Sequence, residues 1–222
     1  MVPVNELTWP LVAEITARTL RMGFSALAIS LSLGLPIGIL LGRAHFRGRG
    51  AVVGVVNAGM GAPPVVVGLA VALLLWRNGP LGGLDLMYSM QAMVIAQVVI
   101  ALPLVIGITL AAVGALDVDW DLQARTLGIP AAWRTWLLLR EIRLGLLAAV
   151  IAALGSILSG VGAVLMVGGN LAGETRVLTT SIMMHTSMGE FEIAYGLGAV
   201  LVGLTLMLAG LLTAIQQSGR AR

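Results

Sequence analysis

A single short segment, residues Asp117–Arg143, carries a large share of the ionisable side chains in this sequence. The chain has 13 basic and 10 acidic residues, and eight of them lie in this segment. It opens with three alternating aspartates, the spacing of the first ligands in an EF-hand calcium loop: Asp117, Asp119 and Asp121. Such a loop also needs glycine at its sixth position and glutamate at its twelfth, where this chain has Leu122 and Gly128. The pattern therefore predicts a solvated acidic turn rather than a calcium site.

Other side chains that could bind a metal ion are too scattered to form a site. Three long apolar runs separate His45 from His185, which predicts that the two histidines lie in loops on opposite membrane surfaces. The chain has no cysteine, so disulfides and thiolate sites are impossible. One group of thioether side chains could suggest a soft metal, but packing explains it better: Met183, Met184 and Met188. We expect no metal ion on this chain.

The absence of lysine excludes the usual ATP-binding loop. All 13 basic residues are arginine, whereas a phosphate-binding G-x-x-x-x-G-K-[ST] loop requires lysine. The sequence also lacks the G-x-G-x-x-G fingerprint of a dinucleotide site. We therefore expect no cofactor on this chain and no catalytic activity of its own.

The side chains described above must be positioned by helices that cross a membrane. Hydrophobic residues make up 59% of the chain and charged residues only 10%, and the mean hydropathy is +1.01. Soluble domains carry roughly a quarter charged residues, and a membrane span needs about 20 apolar residues. The sequence predicts an all-α transmembrane protein with about five spans, the second interrupted by Pro63-Pro64: Met22–Leu41, Val52–Trp76, Met90–Leu116, Leu144–Val167 and Ala194–Ile215.

The distribution of the arginines predicts the orientation of these spans. Cytoplasmic loops are enriched in basic residues, and the loops on one side hold nine arginines against four on the other. We therefore place the amino end outside and the carboxyl end inside. Arginines confined to short loops also do not form the continuous basic face of a nucleic-acid-binding protein. The predicted inner residues are Arg43, Arg47, Arg49, Arg125, Arg134, Arg140, Arg143, Arg220 and Arg222, and the outer ones are Arg18, Arg21, Arg77 and Arg176.

The segment Asp117–Arg143, which we call the polar segment, lies between the third and fourth spans and is predicted to be cytoplasmic. Ala124–Leu127 and Ala131–Arg140 favour short helices, and the second carries two tryptophans. Gly128-Ile129-Pro130 separates them, because glycine permits left-handed geometry and proline begins a helix well. Two interpretations fit this pattern. The polar segment either docks a partner from water or forms an amphipathic hairpin on the lipid surface.

The polar segment resembles the cytoplasmic coupling loop of ABC-importer permeases, in which Glu-Ala-Ala is followed by three residues and glycine. Ala124 matches the second alanine and Gly128 the glycine, whereas Leu122 and Gln123 replace the family's Glu and Ala. Arg140-Glu141 stands where the family has a later Leu-Pro. The resemblance implies that an ATPase contacts the residues Ala124, Arg125, Thr126, Leu127, Gly128, Ile129, Pro130 and Trp133.

Four further stretches narrow the resemblance to tungstate-type permeases, relatives of the molybdate and sulfate permeases. They occur in the order found in that family: Pro63–Gly68, Gly79–Gly82, Ala92–Gln97 and Val167–Thr180. The resemblance implies that residues 1–222 form one permease domain of the type I importer fold. It further implies that two copies form a pore in the cytoplasmic membrane. Two separate ATPase subunits carrying ATP and magnesium, and an extracytoplasmic binding protein that delivers the oxyanion, would complete the complex.

The fourth span presents small residues at helical spacing, which could line the path of a dianion or could serve close helix packing. Gln97 in the third span could likewise line the path or pack between helices. The family usually has glutamate at the position of Gly160, so no gating role of that acid is carried over. The candidate path residues are Gln97, Ser156, Ser159, Gly160 and Gly162.

A polar stretch after the fourth span is predicted to form an outer loop. It could dock the binding protein or lead the anion to the pore, and ordinary solvation explains its polarity equally well. The residues concerned are Gly168, Gly169, Asn170, Thr175, Arg176, Thr179 and Thr180.

Other functional classes remain alternatives to a tungstate importer. The oxyanion could be molybdate or sulfate. An intramembrane hydrolase would need a serine such as Ser156 or Ser159 near a histidine in another span, but both histidines fall in predicted loops. A purely structural membrane subunit is the remaining alternative, since only the polar segment separates it from a permease.

Overall fold

The computed structural model describes residues 8–117 and 119–218, and every regular element in this part of the chain is helical. Arg220 and Arg222, which the sequence predicts on the inner side, lie outside the described residues. A short 3-10 turn, Gly82–Leu84, precedes the fourth helix. The helices are α1 (Trp9–Arg43), α2 (Arg49–Met60), α3 (Pro64–Leu75), α4 (Met90–Gly114), α5 (Trp120–Thr126), α6 (Ala131–Glu141), α7 (Arg143–Ser159), α8 (Val161–Gly168), α9 (Leu178–Ser187) and α10 (Phe191–Ser218).

Three of these helices are long and apolar enough to cross a membrane. They are α1, α4 and α10, and the number rises to five if each of two bent helix pairs counts as one span. The prediction of an all-α membrane protein with about five spans is therefore confirmed. Helix α1 begins 13 residues before the predicted span, at Trp9.

Two predicted spans are broken where the sequence disfavours a continuous helix. Helices α2 and α3 meet at 105°, because proline lacks an amide donor and keeps the residue before it extended. Pro63 accordingly has φ −62° and ψ 127°. The predicted span Leu144–Val167 consists of two helices, since it divides at Gly160 into α7 and α8. The second bent pair counted above is α6 with α7, which meet at 63°.

Close contact between α1 and α4 forms the centre of the fold, and three glycines at four-residue spacing make it possible. A Cβ atom at Gly38 would lie 2.7 Å from Cβ of Thr109, and one at Gly34 would lie 2.6 Å from Val105. Gly42 stands in the same relation to Val113. Small residues on one helix face let two backbones approach closely, which is a main source of helix association in membranes.

The short helices α8 and α9 are held against this centre by apolar packing. Helix α8 contributes Val164 and Val167 to a buried cluster that also contains Val71 from α3 and Met93 from α4. Leu178, at the start of α9, packs with residues of α1 and α10. This packing fixes the stretch between α8 and α9, where the sequence placed a polar outer loop.

Candidate functional site

The polar segment folds into two short helices joined by a tight turn, as the sequence predicts. Gly128 adopts φ +68°, and its amide donates a hydrogen bond of 2.9 Å to the carbonyl of Arg125. The amide of Ile129 donates to the carbonyl of Ala124 at 3.1 Å. A residue other than glycine is strained at such a φ, so the turn depends on Gly128.

The tip of the polar segment exposes large apolar side chains to its surroundings. Leu127 is 77% exposed and Trp133 is 61% exposed. The ring of Trp133 meets that of Trp136 edge to face, with centroids 5.7 Å apart, and Arg140 lies 5.5 Å from the Trp136 centroid. Behind the tip, α5 and α6 enclose a groove of about 380 Å³ lined by both helices. Exposed apolar patches mark contacts with a partner protein or with a membrane, so the tip fits both interpretations of the polar segment.

Among the predicted ATPase-contact residues, burial separates those that shape the turn from those that are accessible. Ala124 is buried and Ile129 is half-buried, and both line the groove between α5 and α6. The accessible ones are Arg125, Thr126, Leu127, Gly128, Pro130 and Trp133.

An ion cluster, which the sequence did not reveal, joins the polar segment to the carboxyl-terminal end of α1. The carboxylate of Asp121 contacts Nη2 of Arg43 at 2.5 Å and Nη2 of Arg125 at 2.8 Å. Nη1 of Arg134 lies 3.6 Å from the same carboxylate. The Asp121–Arg125 spacing of four residues is a helix ion-pair signal that could have been read. Arg43 is 78 residues away from Asp121 in the sequence, and only the tertiary fold brings the two side chains together.

The ion cluster keeps the Asp121 carboxylate ionised. Desolvation by neighbouring atoms raises the pKa of Asp121. The hydrogen bond from Arg125 and the charges of Arg43, Arg125 and Arg134 lower it by more. The net pKa lies below the usual value of 3.8, so this side chain carries a full negative charge at neutral pH.

Of the residues predicted to line the path of the anion, some are packed between helices and others are accessible. Gln97 is fully buried, and its Nε2 donates a hydrogen bond of 3.2 Å to the carbonyl of Gly160. A Cβ on Gly162 would lie 2.5 Å from Val65 of α3. Ser156 is half-buried, and Ser159 is exposed with its hydroxyl donating to the Ser156 carbonyl. Within this chain, Gln97, Gly160 and Gly162 therefore pack helices together, and the two serines remain candidates for the path.

Most hydroxyl groups of the predicted outer loop are buried, contrary to the interpretation of a solvated polar loop. The Thr175 hydroxyl donates to the Gly168 carbonyl at 2.5 Å and accepts from the amide of Leu171. The Thr180 hydroxyl caps α9 by accepting from the amide of Val177. Thr179 is also buried. Backbone groups with no helical partner attract these side chains, because a buried polar group without a hydrogen bond is costly.

The remaining residues of the predicted outer loop determine the path of the backbone. Gly169 has φ +68° and faces the Tyr88 ring, where a Cβ would lie 2.6 Å from Cδ1. Asn170 has φ +55°, and its Nδ2 lies 3.3 Å from the sulfur of Met184. Nη1 of Arg18 donates to the carbonyl of Arg176 at 3.0 Å, tying the loop to α1. The Arg176 side chain is half-exposed.

One histidine differs from its prediction. His185 was expected in a loop, but it is buried on α9, and its Nδ1 lies 2.6 Å from Glu190 Oε2. His45 lies in the connection after α1 and is exposed. The Ser159 hydroxyl is bonded within its own helix end, so the structure shows no serine–histidine pair among the described residues.

Comparison with known proteins gives matches over almost the full length. The family model described as "binding-protein-dependent transport system inner membrane component" matches residues 34–218. A probable anion ABC transporter permease protein of Haloferax volcanii is 38% identical over 211 residues, which covers 93% of this chain and 91% of that protein. The tungstate uptake system permease protein TupB of Peptoclostridium acidaminophilum is 35% identical over 208 residues, covering 94% and 91%.

A solved structure agrees on the fold. The crystal structure of an amino acid ABC transporter with histidines superposes with a TM-score of 0.65 at 22% sequence identity, covering 94% of both chains. The resemblance to tungstate-type ABC-importer permeases that the sequence motifs carry is confirmed by the family match and by the relatives. The chain thus belongs to the family of binding-protein-dependent transport system inner membrane components.

Proposed function

We propose that this chain is the permease subunit of an ATP-driven importer for an oxyanion of the tungstate and molybdate type, with tungstate preferred. The observation that carries this proposal is the similarity over more than 90% of the chain to one relative named for anions and another named for tungstate. A molybdenum permease of Haemophilus influenzae is similar at 30% identity over 72% of the chain. The chain itself is non-catalytic in this proposal.

Two copies of the chain form the pore, and a separate ATPase subunit docks on the polar segment of each copy. The accessible apolar tip at Leu127 and Trp133 supports this role, because apolar side chains of this size gain most when a partner covers them. ATP binding closes the ATPase pair, moves the two polar segments together and opens the pore outward. Contacts that differ between the two states are the only means by which the ATPase can shift the pore.

The substrate reaches the pore from an extracytoplasmic binding protein that docks on the outer surface. In this proposal the amino end lies outside, and the stretch Gly168–Thr180 contributes to that surface. Its buried threonines shape the loop, whereas the Arg176 side chain remains half-exposed. A single accessible guanidinium attracts a dianion without holding it, as a permeation path requires.

Reconstitution tests the proposal. With its ATPase and its binding protein in proteoliposomes, the complex should take up tungstate only when ATP is supplied. Molybdate should compete with tungstate, and sulfate should compete poorly. Preferred uptake of molybdate or sulfate would show that the preferred substrate is that ion rather than tungstate. Uptake of an amino acid or a sugar without any oxyanion would overturn the substrate class and leave the permease assignment intact.

A further inference from the structure

A groove of about 850 Å³ runs along α1 to the polar segment, and the side chains of these two parts of the chain leave it open. Its wall is apolar, formed by Leu31, Leu35, Pro36, Ile39, Leu40 and Leu139. Ser32 and Thr135 also line it, but each hydroxyl already donates to a carbonyl of its own helix, Ala28 and Ala131 respectively. The groove therefore offers hydrocarbon contacts along its length.

The inner end of the groove is cationic. Arg43 and Arg125 line it together with Asp121, and Arg134 lies 3.6 Å from the Asp121 carboxylate. Three guanidinium groups face one carboxylate, which leaves a surplus of two positive charges. Nε and Nη1 of Arg134 are buried without an acceptor. Those two atoms are shielded, so the guanidinium groups that a ligand in the groove can reach are those of Arg43 and Arg125.

The length of the groove matches one leaflet of a membrane. Leu31 and Arg43 are twelve residues apart on a helix, a rise of about 18 Å. Half of the hydrocarbon core of a bilayer is about 15 Å thick. An acyl chain lying along α1 would thus place its headgroup at the arginines.

We propose that this groove binds an anionic phospholipid, with an acyl chain against Leu31–Leu40 and the headgroup phosphate on Arg43 at its cationic end. A zwitterionic lipid leaves the surplus charge unbalanced, whereas basic pockets at the membrane surface select anionic headgroups. The tip of the polar segment at Leu127 does not line this groove, so a lipid and an ATPase can occupy the polar segment together. The lipid site does not depend on which ion is transported.

Lipid retention measured by native mass spectrometry tests this proposal on the purified full-length chain. Phosphatidylglycerol should be retained in preference to phosphatidylcholine. Arg43→Gln should weaken phosphatidylglycerol binding about tenfold, because a charge-assisted hydrogen bond is lost. Arg47→Gln removes the same charge from an exposed position outside the groove and should change nothing. Equal binding of both lipids, or equal losses in the two variants, would overturn the proposal.

A second pair of variants tests the apolar wall without touching the ion cluster. Leu35→Trp should fill the groove and reduce lipid retention, whereas Leu33→Trp lies on the same helix outside the groove and should not. Inorganic phosphate added at millimolar concentration should not displace the lipid, since it cannot occupy the wall. Full displacement by phosphate would make the site one for a free anion and overturn the lipid assignment. A disulfide between two Leu35→Cys copies, with no lipid retained, would instead assign the groove to a second copy.

Discussion

The side-chain amide of Gln97 on α4 is bonded to the carbonyl of Gly160, with Nε2 and the oxygen 3.2 Å apart. Gly160 is the point at which α7 ends and α8 begins. A Cβ atom on Gly160 would lie 2.7 Å from the same Nε2. The break in the fourth predicted span therefore lies directly against the buried glutamine of the third span. Glycine is required at this break because a side chain would collide with Gln97, and not because of its backbone angles, since φ is −75°.

Gly160→Ala should destabilise the protein by about 1–3 kcal/mol, the usual cost of overpacking. Combining it with Gln97→Ala should recover part of that loss, because the shorter side chain makes room for the added methyl group. Thermal unfolding of the two single variants and the double variant in detergent measures the coupling. Effects that add within about 0.5 kcal/mol would show that the two residues do not constrain each other.

Gly128→Val should weaken ATPase association about tenfold or more, since a β-branched residue at φ +68° is strained by about 1–3 kcal/mol. Gly128→Asn is the matched control, because asparagine tolerates left-handed geometry. Nothing lies within 4 Å of a Cβ at this position, so neither variant creates a clash. Pull-down of the ATPase by each permease variant measures the effect. Equal binding by the valine and asparagine variants would mean that the turn geometry is irrelevant to docking.

Asp121 should stabilise the protein in a pH-dependent way. Its pKa in the folded state is lower than its ordinary value of 3.8, so the ion cluster contributes fully above that value. The contribution is lost as the pH falls through the folded pKa. Asp121→Asn should therefore lower the free energy of unfolding at pH 7 by an amount on the order of 1 kcal/mol, which is seen as a lower unfolding temperature than that of the wild type. The gap should close towards pH 3.

The control for this experiment is Asp119→Asn, which removes a carboxylate that makes no ion pair among the described residues. It should shift the unfolding temperature little at pH 7. A gap between wild type and Asp121→Asn that stays constant down to pH 3 would exclude ionisation of Asp121 as its cause.

The orientation of the chain can be tested with cysteines, because the natural sequence has none. Gly83→Cys and Ala172→Cys occupy exposed positions on the predicted outer side, and Ala131→Cys is exposed on the predicted inner side. A membrane-impermeant maleimide applied to intact cells should label the first two only. The reverse pattern would invert the topology and place the polar segment outside.

The structure guides the choice of these positions. Gly82 is unsuitable because a Cβ there would lie 2.3 Å from the carbonyl of Trp76. Gly173 has φ +81°, which strains any cysteine. Gly83 has open space around its Cβ position.

Much of the fold could be predicted from the sequence, because membrane spans and the turn at Gly128 are local signals. The repeat of Gly34, Gly38 and Gly42 is also visible, but its partner is not, since a glycine stripe does not name the helix that packs on it. Only the fold pairs it with Thr109 and its neighbours on α4.

The site could be predicted less completely, because polarity does not distinguish a solvent-facing side chain from a buried one. Thr175 and Thr180 read as polar loop residues, yet both are buried and bonded to the backbone. The contact between Arg43 and Asp121 joins residues far apart in the chain. Such pairs depend on how α1 and α5 meet, which no local pattern encodes.

The proposed coupling to an ATPase depends most on what the tip of the polar segment touches. A Leu127→Cys variant carrying a short photoreactive maleimide, activated in native membranes that contain the whole complex, reports that contact directly. The label should attach to the ATPase subunit, because Leu127 is the most exposed large apolar residue at the tip. The same label at Val202, an exposed position on α10, should attach to lipid. Attachment of the Leu127 label to lipid alone would show that the polar segment lies on the membrane, and it would contradict the proposed coupling to an ATPase.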